Sequence, residues 1–295
     1  MLRVRLRRAR AARLPSVDDL RQVLTEGDCD LILIANAGDF GAASEPGDAA
    51  AVLSAHKRGV KVVSLEPMPG SALELSCGWS GASGGLAPAD AVRFVPLMGD
   101  MRSFRESVET REMFGPVRTL LVEACCRPEE GVLGAMLLRA AVLVQSLLGE
   151  PVSVDAAFAP PIQGGMLLAL PGETLRSLHG DITANYRFDD GRAASIVVSD
   201  QSGRWSNNVM MLGAGGRLRI YDDGFEWVGM DGNKVDAHRQ TTRRGQGIAV
   251  LRSVKAVALA LTRMMDPAIP KPSPIDHAAV LAVSQAVLLS ARTGS

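Results

Sequence analysis

The side chains able to do chemistry are few in this chain and scattered. Four histidines, His56, His179, His238 and His277, fall in different predicted elements, with none of the spacings that bring imidazoles to one metal. No metal is therefore expected. Cys29, Cys77, Cys125 and Cys126 show no zinc-ligand spacing either, and the adjacent pair is badly placed to bridge to itself. Reduced thiols in a cytoplasmic protein are the expectation. Two residues stand out as charge-bearing candidates. Glu66 ends the apolar run Val60 to Leu65 and is followed by Pro67. Arg139 is the only charge in the stretch Met136 to Leu148. Arginine stays protonated near neutrality, so it can hold an anion but is a poor proton acceptor. Arg139 is either an anion-binding residue in a pocket or a helix arginine whose stem packs while its head reaches solvent or a carboxylate. A lyase-type reaction using Glu66 or Asp155 with Arg139 is a third use of these groups.

The elements that would position them begin with Pro15 to Gly27, a helix that Ser16 can cap and whose first turn carries Asp18 and Asp19. Leu31 to Ile34 is a short continuous apolar run, the mark of a strand covered on both faces. A helix over Asp48 to Arg58 leads to a second such strand, Val60 to Leu65. Two buried strands joined by a helix make a βαβ unit and a parallel sheet. A dinucleotide site also needs a glycine-rich turn at the first strand, where backbone amides hold the pyrophosphate. No G-x-G-x-x-G lies upstream of Leu31. The unit therefore reads as an incomplete Rossmann-like domain over 15–85.

Residues 1–14 carry six arginines and read as a basic leader without order of its own: a solvated terminus, a tail for an acidic partner, or the product of a misplaced gene start. They lack the apolar core of a secretory signal. After the Gly-, Ser- and Pro-rich stretch 67–88, a single helix is expected over Met101 to Glu112, a strand over Val117 to Cys126, and an apolar helix over Gly134 to Leu148. Strand candidates then follow at short intervals: Val152 to Ala159, Ile182 to Phe188, Ala193 to Asp200, Asn208 to Leu212, Arg217 to Tyr221 and Gly224 to Val228. Asp189-Asp190-Gly191 marks a hairpin. Two helices, Ile248 to Met265 and Ser273 to Thr293, close the chain. The fold class is α/β plus α+β: an incomplete parallel sheet, then a domain over 86–295 with an open, mainly antiparallel sheet and flanking helices. The closing helix 273–293 is free to pack back on the first domain. Trp205, Trp227 and Tyr221 on that sheet read as core or interface residues before they read as a sugar platform.

At 295 residues and 47% hydrophobic the chain supports one large core or two ordinary ones, and its formal net charge of zero argues against a nucleic-acid partner. No apolar run reaches the ~20 residues of a membrane-spanning helix.

Four stretches together resemble the Gfo/Idh/MocA family, the glucose-fructose oxidoreductase and inositol dehydrogenase group. Pro15 to Ala35 is similar to its helix, acidic turn and D-x-V-x-I-A-T-P. Ala55 to Pro67 is similar to A-x-x-A-G-K-H-V-x-x-E-K-P. Gly115-Pro116-Val117 followed by Leu147 to Val152 resembles G-x-V and L-L-G-x-P-x-x-V, and Ser290 to Gly294 resembles S-A-x-T-G. The resemblance implies NAD or NADP as cofactor, a sugar or polyol as ligand, and a homo- or hetero-oligomer formed through the open sheet. It places Ala35, Asn36, Glu66 and Pro67 beside the cofactor. It also implies a base: the Lys of E-K-P, with a His and often an Asp on the apolar helix. Here Glu66 is followed by Pro67-Met68-Pro69 and no Lys, while Lys61 matches the family's strand-entry lysine instead. Counting back from Gly149, the His position falls at Arg139 and the Asp position at Val142. Hydride transfer from an alcohol needs a proton acceptor and a group to steady the alkoxide. The reading is therefore a related chain without hydride transfer, with NAD or NADP by resemblance or no cofactor at all, serving as a non-catalytic subunit or sugar-binding scaffold. The alternative is an active NAD(P)-dependent oxidoreductase with a misassigned start.

Overall fold

The computed structural model describes residues 19–45, 47–81, 85–161, 167, 170, 172–240, 252–266, 268 and 275–294. The basic leader, Ser16 and residues 248–251 lie outside them. Two sheets organise the molecule. The smaller is parallel, in the order β1 (Leu31–Ile34), β2 (Lys61–Ser64), β3 (Val92–Phe94). The sequence missed β3, three residues long and lodged between a proline-started turn and Pro96. It lies beyond residue 85, so the first sheet extends past the expected boundary.

One face of this sheet is covered by α1 (Leu20–Glu26) and α2 (Gly47–Lys57), which close a core of Leu24, Ile32, Ile34, Val52, Ala55 and Val62. Asp19, not Ser16, caps α1, by accepting from Arg21 N. The other face meets a helix from the far end of the chain, α4 (Arg252–Met265), where Val63 and Val95 pack with Ala260. That cover is partial. Leu33 is 40% exposed, so β1 is buried on one face only and not on both as its sequence suggested.

The larger sheet has eight strands in the order β11-β10-β9-β8-β4-β7-β6-β5. They are β4 (Val117–Cys125), β5 (Ser153–Ala159), β6 (Asp181–Arg187), β7 (Ala193–Ser199), β8 (Ser206–Gly213), β9 (Gly216–Tyr221), β10 (Gly224–Val228) and β11 (Lys234–Arg239). Only β4 and β7 pair in parallel. The β6–β7 hairpin turns where expected, with Gly191 at φ 82°. The edge strand β11, with every residue but Asp236 exposed, was missed although Lys234-Val235-Asp236-Ala237-His238 alternates in polarity. One face packs Val122, Ile182, Ala184, Ile196, Val209 and Ile220 against α3 (Leu133–Leu148) and α5 (His277–Thr293). The opposite face carries Thr119, Leu121, Thr183, Asn185, Ser195, Val197, Met210 and Leu212, with Val197 47% exposed. The helix expected over Met101 to Glu112 is two short ones, Arg102–Glu106 and Val108–Phe114, broken at Ser107.

α5 packs on the larger sheet, against β5 and α3, and not chiefly on the smaller one. Its Ser290 hydroxyl accepts from Ala156 N at 3.0 Å. At its first residue, His277 Nε2 lies 3.9 Å from Asp90 beside the smaller sheet. Burial holds His277 below the ordinary imidazole value of 6.5, with Asp90 and Asp276 pulling the other way. The unfolded chain therefore takes up this proton first. The His277 contribution to stability is present above pH 6.5 and is lost as pH falls below it. Melting curves between about pH 8 and about pH 5 should show the native protein losing stability faster than His277→Asn. Parallel curves would refute the assignment.

Candidate functional site

In an open parallel sheet, ligands bind in the crevice beyond the carboxyl ends of the strands. Here the segments after β1, β2 and β3 form that rim. Ala35 and Asn36, directly after β1, are exposed. Glu66, after β2, is half-buried, and its Oε2 accepts from Ala37 N at 3.0 Å. The carboxylate thus fastens the β1 loop to β2. Pro67 is buried. The next turn of the β1 loop sends Phe40 inward, edge-on to Trp79 at 6.3 Å, with Met68 buried in the same core.

A turn from the larger domain crosses onto this rim. Leu175 N donates to Gly70 O at 2.8 Å. Arg176 donates from Nη1 to Phe40 O at 2.8 Å and from Nη2 to Glu74 Oε1 at 2.7 Å. Glu74 Oε2 accepts from Gly70 N at 2.6 Å. The two charged side chains are 7% and 5% exposed. Burial raises the Glu74 carboxyl, and Arg176 and the Gly70 amide oppose that shift. A Cβ on Gly41 would stand 3.2 Å from the Arg176 guanidinium and 3.3 Å from Trp79. Phe40, Trp79 and Arg176 thus pack together behind the β1 loop.

The same turn starts α3. Val132 offers no side-chain cap; Leu133 N donates to Leu178 O instead, at 3.0 Å. Gly134 is needed there, because a Cβ would run into the Leu175 carbonyl. Two turns into α3, Arg139 is 1% exposed. Its guanidinium lies over the Trp205 ring at 4.4 Å, and Nη2 donates to Asn207 Oδ1 at 2.9 Å. Asn207 passes the contact on to Asp222 at 2.8 Å. Burial lowers the Arg139 pKa to about 10, so it remains a cation at neutral pH. Of the two sequence readings, the stem packs as supposed, but the head reaches an amide and an indole, neither solvent nor a carboxylate.

A residue weighed only as a metal ligand proves to be paired. His179 Nδ1 lies 2.6 Å from Asp200 Oδ2, with Asp200 fully buried and His179 47% exposed. Asp200 also accepts from Gly180 N and Gln201 Nε2. A carboxylate behind an imidazole fixes its tautomer and orients it as a proton acceptor. His179 stands three residues after Arg176, so the Cα atoms are at most about 11 Å apart. The signal was the hairpin register, which sets Asp181 opposite Ser199 and so brings residue 179 to residue 200.

Asp155 is exposed on β5, and no hydrogen bond or ion pair joins it, Glu66 and Arg139. Burial pushes the Cys125 and Cys126 thiols up to about 11 and about 12, so both stay protonated. No group of three His, Cys, Asp or Glu able to hold a metal occurs among the described residues. No described helix is long and apolar enough to cross a membrane. Two open cavities lie away from the strand ends: about 550 Å³ by Tyr221, Asp222 and Arg252, and about 590 Å³ by Arg111, Leu147 and Met211. Neither includes Ala35, Asn36, Glu66, Pro67 or Arg139.

No family model and no curated protein matches the chain. Solved structures do. UDP-N-acetylglucosamine 3-dehydrogenase GnnA from Acidithiobacillus ferrooxidans superposes with TM-score 0.57 at 14% identity, over 97% of this chain and 85% of that one. Levoglucosan dehydrogenase, in complex with NADH and levoglucosan, gives 0.64 at 14% identity, over 98% and 86%. The WlbA dehydrogenase from Bordetella pertussis, in complex with NADH and UDP-GlcNAcA, gives 0.56 at 19% identity, over 98% and 85%. The chain has the fold of the Gfo/Idh/MocA-type dehydrogenases.

The described residues of this fold do not fit a pyrophosphate. The loop before α2 has no free amide cradle, because Asp48, in the first turn of α2, occupies the anion position itself. Its Oδ2 accepts from Gly41 N at 2.7 Å and its Oδ1 from Arg21 Nε at 2.6 Å. Ala37 N is taken by Glu66.

Removing one partner of a buried ion pair strands the other charge. Arg176→Met should cost about 3–5 kcal/mol in chemical denaturation. Adding Glu74→Gln should recover part of that loss. An Arg176→Met protein as stable as the parent would show that the clasp does not hold the domains.

Proposed function

We propose that this chain is a non-catalytic relative of the sugar dehydrogenases whose fold it shares, serving as a ligand-binding or partner subunit. The observation that carries this reading is the Arg176 clasp. It packs Phe40, Glu74 and Arg176 between the β1 and β2 loops, and the proposal takes that as the room a cofactor would need. Three further features support it. Pro67 and Met68, both buried, follow Glu66 in place of the lysine that the resemblance implies. Arg139 and Val142 stand at the implied His and Asp positions, and neither accepts a proton. The carboxylate of Glu66 is engaged with Ala37 N.

Levoglucosan dehydrogenase and the WlbA dehydrogenase are described with NADH, and one levoglucosan dehydrogenase structure with L-sorbose as well. A sugar or polyol is accordingly the ligand class proposed here, and absence of a bound dinucleotide, NAD or NADP, is part of the proposal. The outward face of the larger sheet suits assembly. Leu121, Val197, Met210 and Leu212 form an apolar stripe flanked by Thr183, Asn185 and Ser195, the mixed character of a subunit interface. A homo- or hetero-oligomer through this face is part of the proposal.

The His179–Asp200 pair favours a second reading, in which an enzyme uses an imidazole base from the larger domain in place of the lysine. Turnover that disappears in His179→Gln would establish it.

Fluorescence titration of the purified chain with NADH and NADPH should show no saturation below about 1 mM, a binding free energy weaker than about −4 kcal/mol. Sub-millimolar binding would overturn the proposal. Light scattering should report an oligomer that Val197→Lys converts to monomer; a monomeric parent chain would remove the assembly part.

A further inference from the structure

The face of the larger sheet turned away from α3 and α5 carries a cavity of about 550 Å³ at its β8 to β11 end. The strand register shows how it is made. Asn208 on β8, Tyr221 on β9, Gly224 on β10 and Arg239 on β11 stand in one cross-strand row. Two residues further along β10, and so on the same face, Glu226 stands opposite Ala237. Gly224 brings no side chain to this floor and Ala237 brings one methyl, while Tyr221 rises beside them. The result is a trough with one aromatic wall. Gly224 cannot be larger, since a Cβ would run into the His238 carbonyl of β11. Arg219 lies over the Tyr221 ring at 5.7 Å and does not itself line the cavity. Trp227 faces the other way, with Nε1 donating to Gly215 O at 2.6 Å and its ring edge-on to Phe114.

The charges of the lining are paired among themselves. Lys234 Nζ lies 3.3 Å from Glu226 Oε1, Arg252 Nη1 3.3 Å from Asp222, and Arg239 Nε 3.9 Å from Asp223. An anion entering here meets three carboxylates, and a cation meets these three basic side chains and Arg204. A neutral ligand rich in hydroxyls meets neither penalty. Each hydroxyl can donate to a carboxylate and accept from the cation beside it. Tyr221 Oη, Asn208 Oδ1 and Glu226 Oε2 make no hydrogen bond among the described residues and are open to such a ligand. A few polar groups converging on an apolar wall are the usual make-up of a small-molecule site. A sugar ring has the matching form, with C–H groups on one face and hydroxyls around its rim.

We propose that this trough binds a neutral sugar or cyclic polyol, its C–H face against Tyr221 and its hydroxyls bonded to Asn208, Glu226 and Lys234. The proposal rests on the reading of this chain as a sugar-binding, non-catalytic subunit and names where the sugar sits. The trough is apart from the strand ends where Glu66 lies and from the Arg176 clasp.

D-glucose, L-sorbose and levoglucosan serve as probes, titrated into the full chain by calorimetry and saturation-transfer NMR. At least one should bind saturably, with Kd about 1–10 mM. Tyr221→Ala should weaken that binding about tenfold, and Glu226→Gln about fivefold. Ala237→Gln, at an exposed position, should fill the trough and abolish binding with no polar group removed. Glucose 6-phosphate should bind no more tightly than glucose. No saturable binding of any of the three sugars, binding that Tyr221→Ala and Ala237→Gln leave unchanged, or tighter binding of glucose 6-phosphate would each overturn the site. The two readings fail separately. Reduction of NAD by the parent chain with one of these sugars would end the non-catalytic reading while leaving the trough in place. Sugar binding indifferent to the three substitutions would end the trough and leave that reading standing.

Discussion

The buried ion pair between Glu74 and Arg176 is the joint on which the two halves of the molecule meet. Taking two charges out of water is costly, and it succeeds only when each charge is satisfied on every side. Here main chain supplies part of that, while the buried Arg176 Nε has no partner among the described residues. Gly70 N and the guanidinium share the carboxylate, Phe40 O takes the other fork of the arginine, and the adjoining Leu175 N reaches Gly70 O. Each bond fixes a different loop. The β1 loop, the turn after β2 and the turn before β6 therefore cannot move apart independently. The α3 N-terminus is tied into the same joint through Leu133 N and Leu178 O. A crevice that must open for a flat cofactor is hard to reconcile with a contact whose rupture leaves two bare charges.

Much of the fold was legible because its elements are regular. The period-2 alternation of β6 to β9, the Asp190-Gly191 turn and the apolar α3 ending at Gly149 all obey local rules. Local rules failed where tertiary context decides. β3 exists because Val92 to Phe94 finds β2 beside it, and no pattern fits within three residues. The apolar run of β1 reads as doubly covered, yet α4 reaches only part of that face and leaves Leu33 out. At the site, sequence located Glu66 and Arg139 but could not assign their tasks. The partner of Glu66 is a backbone amide, and that of Arg139 is an amide 68 positions away. Arg176 and Glu74 were invisible for the same reason: their meaning lies in a contact across 102 positions.

Among the described residues the interior holds four carboxylates, Asp48, Glu74, Asp100 and Asp200, and the guanidinium of Arg139, with other arginines reaching in to meet them. Arg139, Arg176 and the pair on Asp100, Arg93 and Arg263, are all withdrawn from water, fully or in part, and of these Arg139 alone has no carboxylate partner. Arginine is the cation that tolerates this, since its charge is spread over a plane that stacks on rings such as Trp205. The protein exploits that property differently at each place. With Trp205 and Asn207 the guanidinium is a packing unit. With Glu74 it is a clasp. Around Asp100 two guanidiniums, from β3 and α4, share one carboxylate and tie those elements together.

Fold and chemistry have separate requirements here. The superposition on sugar dehydrogenases rests on the eight-stranded sheet, the parallel strands and the helices between them, and none of these needs a base or a phosphate loop. What the chemistry needs has been reassigned to structure. The carboxylate after β2 braces a loop, the helix position implied for a histidine carries a guanidinium stacked on an indole, and the anion position of α2 holds Asp48 bound to Arg21. Each reassignment has acquired partners of its own. Putting a histidine at Arg139 would leave Trp205 and Asn207 facing a void, and freeing Asp48 from Arg21 would strip a buried carboxylate of its counter-charge. Side chains that have become buried structural partners are held by the stability of the fold itself.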